Sequence, residues 1–206
     1  MLTVYGLKRS RSTRALWALE EAGLPYDFRR LDARAGEHRQ PGFLALNPGG
    51  KVPVLVDGDF VLSESGAIVT WVAEQVPALG LVPAAGTRAR ALYDQWLHFA
   101  LTELEQPLWV AAKHTFVLPE KLRVPAVIPV CAKEFGRAAQ VLAQGLGDRP
   151  FLLGDAFTMA DLVVGHTLAW AVRQQGLPLD APAVAAYAER LWARPAFARA
   201  EAREAA

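Results

Sequence analysis

The chain has 206 residues, a net charge of +1, 52% hydrophobic residues and 21% charged ones, which are the proportions of a globular protein of one large or two small domains. Near-neutral charge argues against a nucleic-acid footprint or attraction to anionic membranes, and no apolar run approaches the roughly eighteen residues of a membrane span. The single cysteine, Cys131, excludes an internal disulfide; no Cys/His spacing suits zinc, so no metal site is expected. Met1 to Tyr5 enters a strand-like pattern at once and leaves no room for a secretion signal. A reducing, cytoplasmic setting is the expectation.

Residues 1–80 alternate between strand-like and helix-like segments. Leu2, Val4 and Tyr5 form a short strand ended by Gly6, and a loop through Ser10 and Arg11 leads to a helix starting near Ser12. Ala15, Leu16, Trp17 and Leu19 supply its apolar face, and Gly23 with Pro25 stops it. Tyr26–Leu31 alternates with period two and reads as a second strand. Gly36 to Leu46 is a loop with a short helix carrying Phe43, Leu44 and Leu46. A strand around Val54, a turn at Asp57-Gly58-Asp59 and a strand through Phe60–Leu62 form a hairpin. Ser65 is expected to N-cap the next helix, through Ile68, Trp71 and Val72. The helical crossover predicts a parallel pair and the hairpin predicts antiparallel neighbours. Together these make a small mixed sheet with helices packed on it.

Pro77 to Gly86 breaks the periodicity and reads as a linker. No convincing strand follows. A long helix is expected from about Thr87 to Glu105, ended or kinked by Pro107. Residues 109–129 read as irregular because of Pro119, Pro125 and Pro129, with a helix then running to about Gln144. Thr158-Met159-Ala160-Asp161 has the form of a capping box, flanked by Phe157 and Leu162 at the staple positions. It predicts a mostly apolar helix from Met159 to about Gln174, with two short helices in 182–203. The second half is thus all-helical.

The stretch Asn47-Pro48-Gly49-Gly50-Lys51-Val52-Pro53-Val54-Leu55 breaks the strand pattern. Proline donates no backbone hydrogen bond and is confined to edges, strand starts and bulges. Pro53 is therefore either an ordinary loop proline or a deliberate bend, for which a cis Val52–Pro53 bond is one route. A bend would turn the Val52 N–H and C=O out of the sheet, toward an extended partner.

These features, with Ser63-Glu64-Ser65-Gly66-Ala67-Ile68 and Phe151-Leu152-Leu153-Gly154-Asp155-Ala156-Phe157-Thr158-Met159-Ala160-Asp161, resemble the cytosolic glutathione transferase family over nearly the whole chain. Within the family the resemblance is to bacterial, theta/beta-like members of the serine type. The resemblance implies a thioredoxin-like domain over 1–78 with a mixed four-stranded sheet, a linker over 79–86, and an all-α domain over 87–206 that contributes a pocket for the electrophile. It also implies glutathione as co-substrate, no permanently bound cofactor, a small hydrophobic electrophile and a homodimer, in a detoxifying conjugation.

Under that resemblance Val52, before Pro53, pairs its backbone with the cysteinyl amide of glutathione. Glu64 meets the γ-glutamyl ammonium, Ser65 its carboxylate, helped by the helix N-terminus, and Lys51 the glycyl carboxylate. Taken alone, Glu64-Ser65 is a plain helix cap. His38, in Gly36-Glu37-His38, matches a stretch near the glycyl end in theta- and delta-like relatives, although a loop histidine is also commonly just solvated. Some of those relatives carry a further histidine where this chain has Gly50.

The reaction needs a thiolate, since the thiol is a poor nucleophile. Lowering its pKa by about two units takes roughly 2.7 kcal/mol of preferential interaction. The family places the donor in the loop after the first strand, where Tyr5, Ser10, Ser12 and Thr13 stand. Ser10 precedes Arg14 by the interval that relatives show between catalytic serine and helical arginine. Ser12 is the alternative, with an N-cap as its structural role. The loop lacks cysteine, which argues against mixed-disulfide chemistry. Isomerisation, dehalogenation or peroxide reduction could use the same site, and a non-catalytic dimeric binding module is a reading from a different class. Retention of Lys51, Val52, Pro53, Glu64 and Ser65 speaks against the last.

Overall fold

The computed structural model describes residues 1–205. They divide into two compact units: Met1–Val82 completed by the segment from Trp192, and Pro83–Leu191. The break after Val82 falls inside the expected linker. The expected extent of the helical domain, however, has to be corrected at its far end, because the last helix belongs to the first unit.

The first unit is built on a sheet of β1 (Leu2–Gly6), β2 (Tyr26–Arg30), β3 (Val54–Asp57) and β4 (Phe60–Ser63), in the order β2-β1-β3-β4. The α1 crossover (Ser12–Ala22) makes β1 and β2 parallel, while β3 runs antiparallel to both β1 and β4. This is the expected mixed sheet. Val4, Val54 and Leu55 are fully buried beneath α1 and α3 (Ser65–Glu74), whose Leu16, Leu19, Ile68, Val69 and Val72 face inward. Short α2 (Pro41–Leu44) contributes Phe43.

The C-terminal helix α9 (Pro195–Ala205) packs along α1. Ala196, Phe197 and Ala200 are buried there, and the Phe197 ring lies 4.5 Å from that of Trp17, centroid to centroid. Polar contacts hold the same seam. Arg194 donates to both carboxylate oxygens of Glu21 (2.5 and 2.8 Å), and Arg199 to Glu20 (2.7 Å). Such a forked guanidinium–carboxylate pair fixes orientation as well as contact. The two acidic residues late in α1 are therefore anchors for a helix that lies far away in sequence.

In the second unit α4 (Arg88–Phe99) passes into a π-helical turn at Ala100–Leu104, and α5 restarts at Gln106 and runs to Ala112. Pro107 sits in the first turn of α5, where its missing N–H has no helical partner to lose. The long helix does end ahead of Pro107, at Leu104, and Pro107 stands in the first turn of the helix that follows. The start of the expected irregular stretch at 109 is likewise helical, with a second π turn at Lys113–Val117. Then come α6 (Ile128–Leu146), α7 (Met159–Gln175) and α8 (Pro182–Trp192). The start of α7 is as expected. Buried Asp161 accepts the Thr158 N–H and hydroxyl (2.8 Å each), the Leu152 N–H (2.8 Å) and the Tyr187 hydroxyl (2.7 Å). One carboxylate thus ties the α7 start to the preceding loop and to α8.

Candidate active site

The sheet register decides which loops become neighbours. Tyr5 pairs with Val54 and Val54 with Ser63, so the loop after β1, residues 51–53 before β3, and Glu64-Ser65 after β4 all lie at one end of the sheet. Gly6 pairs with Arg30, which brings the loop after β2, with His38, to that same end. Chain segments distant in sequence converge there because strand pairing leaves them nowhere else to go.

The Val52–Pro53 peptide bond is cis, Pro53 is buried, and the ladder starts only at Val54. Val52 therefore takes no part in strand pairing. Asn47 shapes the approach: its side chain accepts the Gly49 N–H (3.0 Å) and donates to the Lys51 carbonyl (2.8 Å). Gly50 adopts φ +58°, and a Cβ there would lie 3.1 Å from the His38 carbonyl. Only glycine accepts that backbone and that close approach without strain. The Lys51 side chain is exposed.

His38 lies on a 3-10 turn at Glu37–Arg39, half-buried, with its Nδ1 buried and lacking a hydrogen-bond partner. A buried polar atom left unpaired is costly, which makes this ring nitrogen a candidate contact for a ligand. The structure thus brings His38 beside Gly50-Lys51.

Ser65 is not the N-cap that the sequence suggested. It is the first helical residue of α3, and Glu64 occupies the cap position with φ 69°, ψ 112° and no side-chain capping bond. Glu64 is exposed, whereas Ser65 is buried and its hydroxyl accepts from Arg14 Nη1 (3.2 Å). A non-glycine residue in such backbone, without a cap in return, is the kind of local cost that structures tolerate at recognition sites. The free N–H groups at the head of α3 favour an anion.

The two candidate serines occupy different environments. Ser12 is fully buried; its hydroxyl accepts the Leu7 N–H (3.2 Å) and lies 2.8 Å from the Ser10 hydroxyl. It does not cap α1, because the cap position is Arg11 with helical backbone. A Cβ on Gly6 would stand 2.6 Å from the Ser12 Cβ, so Gly6 is what lets the loop fold this tightly. Ser10 is half-buried. Its hydroxyl donates to the Leu7 carbonyl (2.6 Å) and accepts the Ser12 N–H (3.1 Å). Tyr5 is engaged elsewhere, its ring 6.0 Å from that of Phe43 and beneath the Arg29 guanidinium.

Two residues that sequence reasoning left without a role belong to this site. Arg14, fully buried, links α1 to Ser65. Glu204, 8% exposed, accepts the Arg9 N–H (3.0 Å) and the Thr13 hydroxyl (2.6 Å). The signal for Glu204 was present: it falls in helical phase with Phe197 and Ala200, so a carboxylate stands on the apolar face of α9.

Comparison with known proteins places this geometry in a family. Residues 1–74 match the glutathione S-transferase N-terminal domain and residues 90–190 the glutathione S-transferase C-terminal domain. Glutathione S-transferase 3 of Zea mays is 33% identical over 204 residues, covering 95% of this chain and 91% of the relative. Among solved structures, a glutathione transferase from Methylococcus capsulatus aligns with a TM-score of 0.89 at 29% identity, covering 100% of this chain and 99% of that one. A theta class glutathione S-transferase from Xanthomonas axonopodis, solved with glutathione bound, aligns at 0.82 and 31% identity, covering 97% and 96%. With both domains matched and the loop convergence of the fold in place, the chain belongs to the glutathione S-transferase family.

Proposed function

We infer that this protein is a serine-type glutathione transferase that joins the thiolate of glutathione to a small hydrophobic electrophile. The observation that carries the reading is the convergence of the Ser10 loop, Lys51-Val52-Pro53 and Glu64-Ser65 at one sheet end, beside His38. Val52 lies outside the strand ladder, so its backbone is offered to the cysteinyl unit. Glu64 is free to meet the ammonium of the γ-glutamyl end, Ser65 and the head of α3 its carboxylate, and Lys51 with His38 the glycyl end. The partial exposure of Ser10 against the full burial of Ser12 supports Ser10 as the thiolate-stabilising group.

In the reaction the glutathione thiol loses its proton to solvent, and the Ser10 hydroxyl swings from the Leu7 carbonyl to donate to the sulfur anion. The thiolate then attacks the electrophilic carbon. A C–S bond forms while the leaving group departs with its electron pair, or while a conjugated double bond takes up the electrons and later a proton. Phe116, Val117, Leu122 and Val124 of the helical unit are exposed apolar side chains, which supports a hydrophobic co-substrate. Exposed Phe60, its ring 5.4 Å from that of Trp71 and tilted against it, supports a C2 homodimer, which sedimentation would check. A cytoplasmic location agrees with a buried, unpaired Cys131, and no helix among the described residues is long and apolar enough to cross a membrane.

Calorimetry with glutathione at millimolar concentration, followed by turnover across electrophile classes, tests the reading. Ser10→Ala is expected to raise the pH at which bound glutathione ionises, and Ser12→Ala to leave it in place. Absence of any glutathione binding would overturn the enzymatic assignment.

A further inference from the structure

The contacts of Glu204 lead beyond the glutathione clamp. Its carboxylate closes on the loop that carries Ser10, from a helix more than 190 residues away in the chain. Arg9 stands at φ +55°, in the left-handed region that non-glycine residues rarely enter. This conformation turns the N–H groups of Arg9 and Ser10 to the same side, a backbone concavity suited to an anion. Glu204 fills it: Oε2 accepts the Arg9 N–H at 3.0 Å, the Ser10 N–H donates to the same carboxylate, and Oε1 lies 2.6 Å from the Thr13 hydroxyl.

The Thr13 hydroxyl also lies 3.1 Å from the Ser10 carbonyl. The Ser10 N–H is therefore held by Glu204 directly, and the Ser10 carbonyl accepts the Thr13 N–H (3.3 Å), beside a Thr13 hydroxyl whose one proton goes to Glu204. The Ser10 hydroxyl bonds to the Leu7 carbonyl and to Ser12, both within the same loop. Ser10 can present its proton at a fixed place only if its backbone is fixed, and a catalytic group displaced by a fraction of an ångström loses much of its effect. Burial pushes the Glu204 carboxyl up, and the Thr13, Arg9 and Ser10 bonds oppose that rise only in part. A carboxyl kept in a costly place, where it makes several bonds to one loop, is a device for holding that loop.

We propose that Glu204 is a positioning residue for thiolate formation, locking the left-handed Arg9–Ser10 turn so that the Ser10 hydroxyl meets the glutathione sulfur. The inference rests on the assignment of Ser10 as the thiolate-stabilising group. Glu204 touches neither glutathione nor the electrophile, and its effect reaches the reaction only through the backbone of residues 9–10.

The experiment is a pH titration of the thiolate absorbance of bound glutathione in the full-length parent, Glu204→Ala, Glu204→Gln and Ser10→Ala, together with kcat and KM for glutathione. Glu204→Ala is expected to raise the ionisation midpoint by about one unit, which is about tenfold less thiolate at a given pH below it. A similar fall in kcat should follow, with KM for glutathione held within about twofold. In Glu204→Gln the amide oxygen can still accept the two N–H groups, while its NH2 donates to Thr13, whose own proton then serves the Ser10 carbonyl. Most of the midpoint shift should therefore be recovered. A parent-like midpoint and kcat in Glu204→Ala would overturn the proposal, as would equal shifts in the Ala and Gln variants accompanied by a matching loss of glutathione affinity. If Glu204→Ala does not fold, Glu204→Asp, one methylene short of the loop, decides the matter: an upward shift supports the lock and an unchanged midpoint refutes it. Ser10→Ala separates the two layers, since an unchanged midpoint there removes the assignment of Ser10 itself.

Discussion

Glu64 combines an unusual backbone with an exposed carboxylate, so replacing it separates recognition from stability. Its φ of 69° and ψ of 112° lie outside the populated regions for a residue with a Cβ, and its side chain makes no capping bond. Holding such a conformation costs about 1–3 kcal/mol, whereas glycine adopts it freely but gives up roughly 0.5–1 kcal/mol through the freedom it gains in the unfolded chain. Glu64→Gly should therefore stabilise the protein by about 1 kcal/mol, a rise of about 2–4 °C in melting temperature for a chain of this size. Glu64→Ala keeps the backbone cost and loses no cap, so its melting temperature should stay within a few degrees of the parent. Both variants lose the partner proposed for the γ-glutamyl ammonium. A hydrogen bond to a charged group contributes about 1.5–3 kcal/mol, so glutathione should bind about 10- to 150-fold more weakly. Calorimetric titration and thermal unfolding on the same preparations measure both quantities. Parent-like affinity in the two variants would refute the recognition role. A large fall in melting temperature for Glu64→Ala would show that the residue caps α3 after all.

Asp161→Ala removes the shared acceptor of two backbone N–H groups and two hydroxyls. With about 1–3 kcal/mol for each buried group left unpaired and some relaxation, the loss should reach about 4 kcal/mol in chemical unfolding; less than about 1 kcal/mol would contradict the network as described. Gly6→Ala forces a methyl group to within 2.6 Å of the Ser12 Cβ, so a loss of about 1–3 kcal/mol and a lower kcat are expected, and parent-like values for both would show that the loop has room to spare. Because burial raises the Glu204 pKa from its ordinary 4.5, the folded state keeps a proton that the unfolded chain gives up. The contribution of this group is then fully present below pH 4.5 and falls as pH rises through the raised value. Glu204→Gln, which does not titrate, should gain stability relative to the parent as pH increases across that window, and a pH-independent difference in urea unfolding would contradict the assignment.

Much of the first unit was legible because its signals are local. Period-two runs, the Asp57-Gly58 turn and the Gly23-Pro25 stop marked the elements along the chain and the parallel and antiparallel pairings, whereas the order β2-β1-β3-β4 and its register belong to the structure. Pro53 was legible as an anomaly, but its neighbours in sequence leave a loop proline and a bend equally open. The errors lie where tertiary contacts override local rules. Ser65 has the right chemistry for a cap, yet its hydroxyl is taken by Arg14, so the cap position falls to Glu64. Pro107 was read as ending or kinking the long helix, which does end ahead of it; the π-helical turn and the restart at Gln106, where a proline in the first helical positions is harmless, have no sequence mark. The assignment of 192–205 failed for a similar reason. Glu20 and Glu21 look like solvated charges at the end of a helix until Arg194 and Arg199 are seen beside them.

The return of α9 to the first unit also bears on the order in which the protein can be completed during synthesis. At roughly 5–20 residues per second, several seconds pass between emergence of the sheet and emergence of the helix that covers Trp17 and reaches Arg9. During that interval the face of α1 that receives Phe197 is bare, and the Arg9–Ser10 turn lacks its clasp. The nascent sheet can collapse early, but its reactive loop takes its final shape only after the intervening helical unit has been made. A protein that is cut short, or that is fused to a bulky partner beyond residue 205, would be expected to keep its strands and lose its poise for thiol chemistry.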